Sequence, residues 1–393
     1  MTVSSQPADR TPPAYRRDDV TWRLFAGLAA FGFLNAVLGP ALPYLRAIEH
    51  VSYVAGALHQ VAFAIGGGFA GALAARGRGE WSRARVIPVG LGVAALGSLG
   101  VAYGAHAPIT IASAFVMSLF GTSALIRMWA VLADIHGPQR TLALTEGEVL
   151  VSVGSIVTPL LVGALAATAL TWRGALVVGG LGVGATVLGL RSAAIPPPIA
   201  AVVPPHPRGT GPRTQVRVRP TLVIVFAIVA LEFALSFWLA TYLHDSVGVR
   251  RGLAVLMVSG FYAGNLCGRA IASRAARRVP DAILLGAALV IALLGLPLLL
   301  DAHGAAVAAI GIVVAGAGIG AMFPLTSSLH VASSAANADT SVGEVISVAA
   351  LGQMAGPLAA GIVAQAAGLR TGLLVLPALA VLGLIGLAAH GRR

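Results

Sequence analysis

Residues 141–163, TLALTEGEVLVSVGSIVTPLLVG, and residues 339–361, DTSVGEVISVAALGQMAGPLAAG, decide the fold between them. Each is an apolar run with an early carboxylate, an internal proline and a glycine four residues further on. These are Glu146, Pro159 and Gly163 in the first copy, and Glu344, Pro357 and Gly361 in the second. All three pairs are separated by 198 residues. Apolar sequences match by chance, but an acid and a proline within such a run are rare. The same offset reaches outward from the two stretches. It sets Tyr44-Leu45 on Tyr242-Leu243, Arg76 on Arg274, and Gly174 on Gly372. The chain therefore reads as two copies of one unit.

Working outward, each copy divides into six apolar runs, and a crossing needs roughly 20 apolar residues. The first six spans are Trp22–Leu45, Ser52–Ala75, Val86–Gly104, Ile109–Ala133, Thr141–Ala167 and Gly174–Leu190. The second six are Thr221–Leu243, Gly252–Ser273, Asp281–Leu300, Ala305–Ser328, Ser341–Ala364 and Thr371–Ala389. The expected fold class is an all-α membrane protein of twelve transmembrane helices, arranged as two pseudo-symmetric six-helix bundles. Its parts are a cytoplasmic tail (1–21), a first half (22–190), a cytoplasmic linker (191–220), a second half (221–389) and a short tail (390–393). The linker is rich in proline and arginine, as a surface connection is.

Composition agrees. The chain has 393 residues, 57% hydrophobic and 10% charged, with a mean hydropathy of +0.88. A soluble domain carries about 25% charged residues, so lipid is the expected solvent here. The 49 glycines suit close helix packing in a bilayer. The one cysteine, Cys267, excludes a disulfide framework and a cysteine metal cluster, and is expected to pack as a small apolar side chain. The net charge of +12 is carried by arginine, with no lysine present. A basic balance can mean nucleic-acid binding, but these arginines sit in short loops between apolar runs. With the N-terminus inside, the inner segments hold most of them, among them Arg16, Arg17, Arg23, Arg83, Arg85, Arg140, Arg219, Arg277 and Arg278. The outer segments hold Arg46, Arg173, Arg250, Arg251 and Arg370. This asymmetry puts both termini in the cytoplasm; the arginine-, alanine- and glycine-heavy composition suggests a GC-rich bacterial genome, and the expected location is the inner (plasma) membrane. The first nineteen residues carry no cleavable signal pattern.

Two parallel six-helix halves imply a pseudo-twofold axis along the membrane normal, with a central cavity opened to either side by rocking. At this point the chain resembles the major facilitator superfamily over nearly its whole length. Span 1 ends in the Gly39-Pro40-Ala41-Leu42-Pro43 run typical of that family. The loop after span 2 is similar to its signature in Gly71, Leu73, Arg76, Arg78, Arg83 and Arg85, with Ala75 standing where the family has an aspartate. Span 10 carries Gly316, Gly318, Gly320 and Phe323-Pro324. A narrower resemblance, to bacterial fucose-permease-like members, rests on Leu132 to Gly137, Ala143 to Glu146, Trp172-Arg173, and Glu232 with Trp238 and Tyr242. The resemblance implies a transporter, not an enzyme, that works as a monomer on a small solute with a proton as coupling ion.

A charge at mid-bilayer costs ~3 kcal/mol on insertion scales, so such residues are functional candidates. Glu232 is the foremost, near the middle of span 7. It either faces the cavity and takes a coupling proton or a polar solute group, or makes a structural hydrogen bond. Trp238 and Tyr242 share a helical face and either stack on an entering solute or form an interfacial aromatic belt. Asn35 lies mid-span 1, on the symmetry mate of span 7. His59, beside Gln60 in span 2, is a ligand or a packing residue. Tyr262, Asn265 and Arg269 share a face of span 8; Asn265 is the solute candidate, and Arg269 snorkels or pairs.

The carboxylates of Glu146 and Glu344 sit near helix starts, where the dipole favours them. The resemblance implies more, because in that family the loop after span 2 meets the start of span 11. Arg76 and Arg78 are then expected to face Glu344, and Arg274, Arg277 or Arg278 to face Glu146, as a cytoplasmic gate. Arg127, in span 4, is expected to hold Glu146 or Glu148. Pro159 and Pro357 mark kinks. No cofactor is expected. Without lysine no Gly-x-x-x-x-Gly-Lys phosphate loop is available, and neither zinc spacing nor a Gly-x-Ser-x-Gly elbow occurs. Proton-coupled uptake, proton antiport exporting drugs or metabolites, and a non-transporting sensor of the same fold remain as alternatives.

Overall fold

The computed structural model of the chain describes residues 15–75, 82–197, 219–333 and 338–392. Among these residues every regular element is helical. The first set is α1 (Asp19–Asn35), α2 (Leu38–Glu49), α3 (Tyr53–Ala75), α4 (Arg83–Tyr103), α5 (Ala107–His136), α6 (Arg140–Leu165) and α7 (Thr171–Arg191). The second set is α8 (Pro220–Asp245), α9 (Arg251–Ala275), α10 (Asp281–Leu300), α11 (Ala305–Ser333), α12 (Ala338–Ala367), α13 (Leu369–Gly372) and α14 (Val375–Gly391). Among the described residues, eleven continuous helical segments are long and apolar enough to cross a membrane. One of them, Ala107–Leu165, is 59 residues long and contains α5 and α6, joined by the 3-10 turn Gly137–Gln139. With 30 and 26 residues, each of those two helices exceeds the ~20 a crossing needs, which accounts for the two spans expected there. The fold is the expected all-α membrane class.

Span 1 departs from the expected continuous helix. The Asp18 side chain caps α1, accepting from the Thr21 backbone N–H at 2.8 Å. The helix then stops at Asn35 and resumes at Leu38. Pro40 explains the gap, since its ring displaces the carbonyl four residues earlier, that of Ala36, and it offers no N–H. The break puts Asn35 at the middle of the molecule with its backbone ladder interrupted beside it.

Both sequence copies build the same contacts. Tyr15 and Arg17 ahead of α1, Arg219 ahead of α8, and the end of α14 lie at one end of the bundle, the terminal face. The opposite end is the far face. The two sets meet chiefly where α6 packs on α9, α3 on α12, and α2 on α8. Glycines permit the approach. A side chain at Gly163 would stand 2.8 Å from the Gly252 carbonyl, and one at its repeat mate Gly361 would press on Ala57 and on Tyr53. With lipid as solvent, such close van der Waals packing is what holds helices together.

Candidate functional site

Where α2 crosses α8, the structure forms a small, partly open cavity of about 50 Å³. Its walls are Asn35, Ala36, Leu38 and Gly39 from the broken span, Gln60 from α3, Glu232, Phe233, Ser236 and Phe237 from α8, and Tyr262 from α9. A water needs roughly 10–15 Å³ by this measure, so a few waters fit and a sugar-sized solute does not. The polar lining is one carboxylate, two amides and two hydroxyls, set in otherwise apolar surroundings.

Glu232 is held from behind. Asn265 donates from Nδ2 to Glu232 Oε1 at 3.0 Å. One turn toward the terminal face, Arg269 donates from Nη1 to Glu148 Oε2 at 3.2 Å and from Nε to the Gly320 carbonyl at 3.3 Å. Glu148 lies on α6 and Arg269 on α9, so this ion pair spans the two sets. Its guanidinium is close enough to attract Glu232 as well, and Glu148 repels Glu232. Glu232, Asn265, Arg269 and Glu148 are thus one electrostatic cluster of two carboxylates and a single guanidinium.

Contacts between the two sets gather on the far-face side of the cavity. Arg46, at the end of α2, donates to Asp245 Oδ2 at 2.9 Å and lies 3.8 Å from the centre of the Tyr53 ring. Tyr53 donates its hydroxyl to Asp245 at 3.3 Å and its backbone N–H to Gln365 at 3.0 Å, and its ring meets Trp238 edge-on. Arg46 and Tyr53 belong to the first set, and Asp245, Gln365 and Trp238 to the second.

The terminal face carries a constellation built twice, each within its own set. In the first, Arg17 makes a bidentate pair with Glu146, which also accepts from Tyr15, while Thr21 Oγ1 lies 3.0 Å from His136 Nε2. In the second, Arg219 donates to Glu344 at 2.9 Å, and buried His330 bridges Thr221 and Glu344 at 2.7 and 3.0 Å. Burial and the Glu146 carboxylate push the Tyr15 phenol up to about 12. Burial pushes the Asp18 carboxyl up, but its hydrogen bonds from Thr21 outweigh this and hold it below its ordinary value.

Several expectations change accordingly. Glu232 and Asn35 both line the cavity, and Asn265 stands behind it, donating to Glu232. Trp238 and Tyr242 do not line the cavity. Both are fully buried; Trp238 donates from Nε1 to the Pro357 carbonyl at 2.9 Å, and Tyr242 caps the end of α10 through the Leu299 and Leu300 carbonyls at 3.2 and 2.9 Å. His59 turns away into the first set, its Nε2 2.9 Å from Thr110, which donates to Glu49. Its neighbour Gln60 takes the cavity position instead. Arg127 holds neither Glu146 nor Glu148; it donates to the Ser123 carbonyl of its own helix at 3.2 Å. Arg274 donates to the Ala270 carbonyl of its own helix and leaves Glu146 to Arg17. Arg76 and Arg78 lie outside the described residues, and Glu344 is engaged by Arg219 and His330. Cys267 is exposed on α9 and not packed in a helix interior as expected. Glu148 is the functional candidate that sequence reading passed over as a partner for Arg269. The signal for it was its position two residues beyond Glu146, on another face of the same helix.

The sequence matches the family model of the Major Facilitator Superfamily over residues 24–348. No curated protein matches it. Among solved structures, it is similar to a bacterial homologue of the human lysosomal transporter Spinster in an inward-facing and occupied conformation, at 16% identity, TM-score 0.74 and 97% coverage of each chain. It is also similar to a D-xylose-proton symporter, at 14% identity and TM-score 0.73, covering 95% of this chain and 96% of that one. A peptide transporter POT in complex with sulfate matches at 14% identity and TM-score 0.73, with 95% and 94% covered. At these identities the likeness is one of fold.

Proposed function

The chain belongs to the Major Facilitator Superfamily of membrane transporters, and on that premise we propose that it is a proton-coupled secondary transporter of a small polar solute, with Glu232 as the proton site. The observation that carries this reading is the position of Glu232, on the wall of a cavity between the two sets and within reach of an ion pair that joins them. Asn35, Gln60, Ser236 and Tyr262 supply neutral donors and acceptors for solute hydroxyls or amides. Arg269 pairs with Glu148 and lies near enough to Glu232 to act on its charge. When Glu232 is ionised it draws on Arg269; when it is protonated, Arg269 is left undivided for Glu148. Proton occupancy and the strength of a link between the halves are therefore coupled, which is what a symporter or antiporter requires of its proton site.

The transporter works by rocking its two six-helix halves about the central site. The arginine distribution supports an orientation with the terminal face in the cytoplasm of a bacterial cell and the far face outside. The Arg46–Asp245–Tyr53 contacts then close the outer side, and the cavity must widen before a solute enters. In proteoliposomes with an imposed pH gradient and a panel of sugars, nucleosides, peptides and drugs, Glu232→Gln is expected to abolish accumulation while leaving counterflow. Accumulation at the wild-type level in that variant would remove the proton role from Glu232.

A further inference from the structure

A second cavity, of about 420 Å³, opens at the far face between the end of α10 and the start of the last span. Its walls are Pro297, Leu300, Leu374 and Pro377, and its rim carries Asp301, Arg370 and Thr371. Leu374 is 55% exposed, so the hollow opens sideways onto the surface that faces lipid. Asp301 follows the last residue of α10, and Arg370 lies in α13. Both charges thus stand at helix ends, the depth at which headgroups begin. Arg370 donates from Nη2 to the Ala302 carbonyl at 3.3 Å and also reaches the Tyr242 hydroxyl, and it shares the cavity lining with the exposed Asp301 carboxylate.

The repeat provides an internal comparison. The 198-residue offset sets Asp301 on Tyr103. In the first set Arg173 donates to the Ala102 carbonyl at 2.7 Å, as Arg370 does to that of Ala302. There the Tyr103 ring lies against the arginine, 5.8 Å from it, and the Trp172 ring lies at 5.4 Å. In the second set a short acid replaces the phenol. That exchange removes the ring's bulk and sets a negative charge near the positive one. The structure has an arginine and a carboxylate at the mouth of an apolar hollow in one half, and an arginine packed on aromatic rings in the other.

We propose that this hollow binds a zwitterionic phospholipid whose headgroup carries a primary ammonium, as phosphatidylethanolamine does. The phosphate lies on Arg370, whose planar fork suits phosphate oxygens. The ammonium donates to Asp301 and to the Thr371 hydroxyl, and an acyl chain runs along Leu374 and Pro297. The volume falls within the ~300–1,000 Å³ of small-molecule sites. A headgroup with only negative charge would meet Asp301 unfavourably. A quaternary ammonium has no N–H to donate.

The test is native mass spectrometry of the full chain with short-chain phosphatidylethanolamine, phosphatidylglycerol and phosphatidylcholine. The variants are Asp301→Asn and the filling substitution Leu374→Trp, each first shown by thermal melting to be folded. The wild type is expected to retain phosphatidylethanolamine about tenfold better than the other two. Asp301→Asn should erase the preference over phosphatidylglycerol, and Leu374→Trp should lose retention of all three. Equal retention of the three lipids by the wild type, or an unchanged preference in Asp301→Asn, would overturn the proposal. Displacement of the lipid by free phosphoethanolamine at equal concentration would overturn its assignment to a lipid.

Discussion

Removing Arg46 should release the far face. The side chain makes two contacts across the halves. Its ion pair with Asp245 is 17% and 30% exposed on the two sides and contributes about 1 kcal/mol at that exposure. Its cation–π contact with Tyr53, at 3.8 Å, contributes about another 1 kcal/mol. Arg46→Ala therefore shifts the balance between the closed and open far face by about 2 kcal/mol, or roughly 30-fold. Asp245→Ala leaves the Tyr53 contact in place and should shift it by about 1 kcal/mol, or roughly fivefold. Ser236 lines the cavity beneath this closure, and Cys267 is the only native thiol. A Ser236→Cys, Cys267→Ser chain in oriented vesicles then reports opening as the rate of labelling by an impermeant maleimide added at the far face. That rate should rise about 30-fold with Arg46→Ala, and Asp245→Ala should add little on top of it. An unchanged rate, or fully additive effects of the two substitutions, would refute the reasoning that these contacts act as one closure.

Tyr242→Phe leaves the Leu299 and Leu300 carbonyls without their buried donor, which costs about 1–2 kcal/mol and lowers the melting temperature; the solute KM should not move, because the ring is remote from the cavity. Glu148→Gln and Arg269→Gln should each reduce stability by about 1 kcal/mol, both side chains being about a third exposed. The charge-swapped double variant should recover most of that loss in a thermal melt. The Tyr15 phenol titrates at about 12 in the folded chain, against about 10 when free. Its folded value is raised, so its contribution to stability is full below pH about 10 and fades as pH rises toward about 12. The phenolate absorbance that Tyr15→Phe removes should titrate near the upper value.

The fold was legible in the sequence because membranes permit so few solutions. With backbone groups unable to bond to lipid, a long apolar run must be a helix, and the Glu–Pro–Gly repeat fixed how many runs make one unit. The break in span 1 was written in Pro40 but calls for a register argument rather than a hydropathy argument. The site was legible where cost marked it. Glu232 in mid-span was conspicuous, and Asn265 followed from its helical face. Direction around a helix was not legible. His59 and Gln60 are adjacent and equally polar, and only the packing of α3 on α5 decides that the histidine turns inward and the amide meets the cavity. Trp238 and Tyr242 were misread for the same reason: polar-tipped aromatics serve a solute or a backbone carbonyl equally well, and the nearest carbonyls took them. Arg127 and Arg274 found acceptors one turn away on their own helices, a local alternative that a search for charged partners overlooks.

The repeat separates scaffold from chemistry. Where the two copies agree, the residues serve the packing of the sets. Gly163 and Gly361 let one set approach the other, and Glu146 and Glu344 fasten the entry of each set to its own fifth span. Where the copies disagree, the residues have work that only one half performs. The mates of Glu232, Asn265, Arg269 and Glu148 at the 198-residue offset are Leu34, Gly67, Gly71 and Ile346. None of the four carries a charge or a polar side chain. A symmetric pair of proton sites would let the two halves respond independently. On the proposed reading, a single cluster, shared between α6 of one set and α8 and α9 of the other, would give one protonation event that both halves register. The same reasoning applies at the far face, where Tyr103 and Asp301 occupy equivalent positions: the phenol ring lies against an arginine and the acid lines an open cavity. If this division holds, exchanging a matched pair of scaffold glycines for alanine should slow transport without altering its pH dependence. Building a second acid by Leu34→Glu should alter the pH dependence even where the rate survives. A variant carrying Leu34→Glu with an unchanged pH profile would mean that asymmetry of the charged cluster is incidental to coupling.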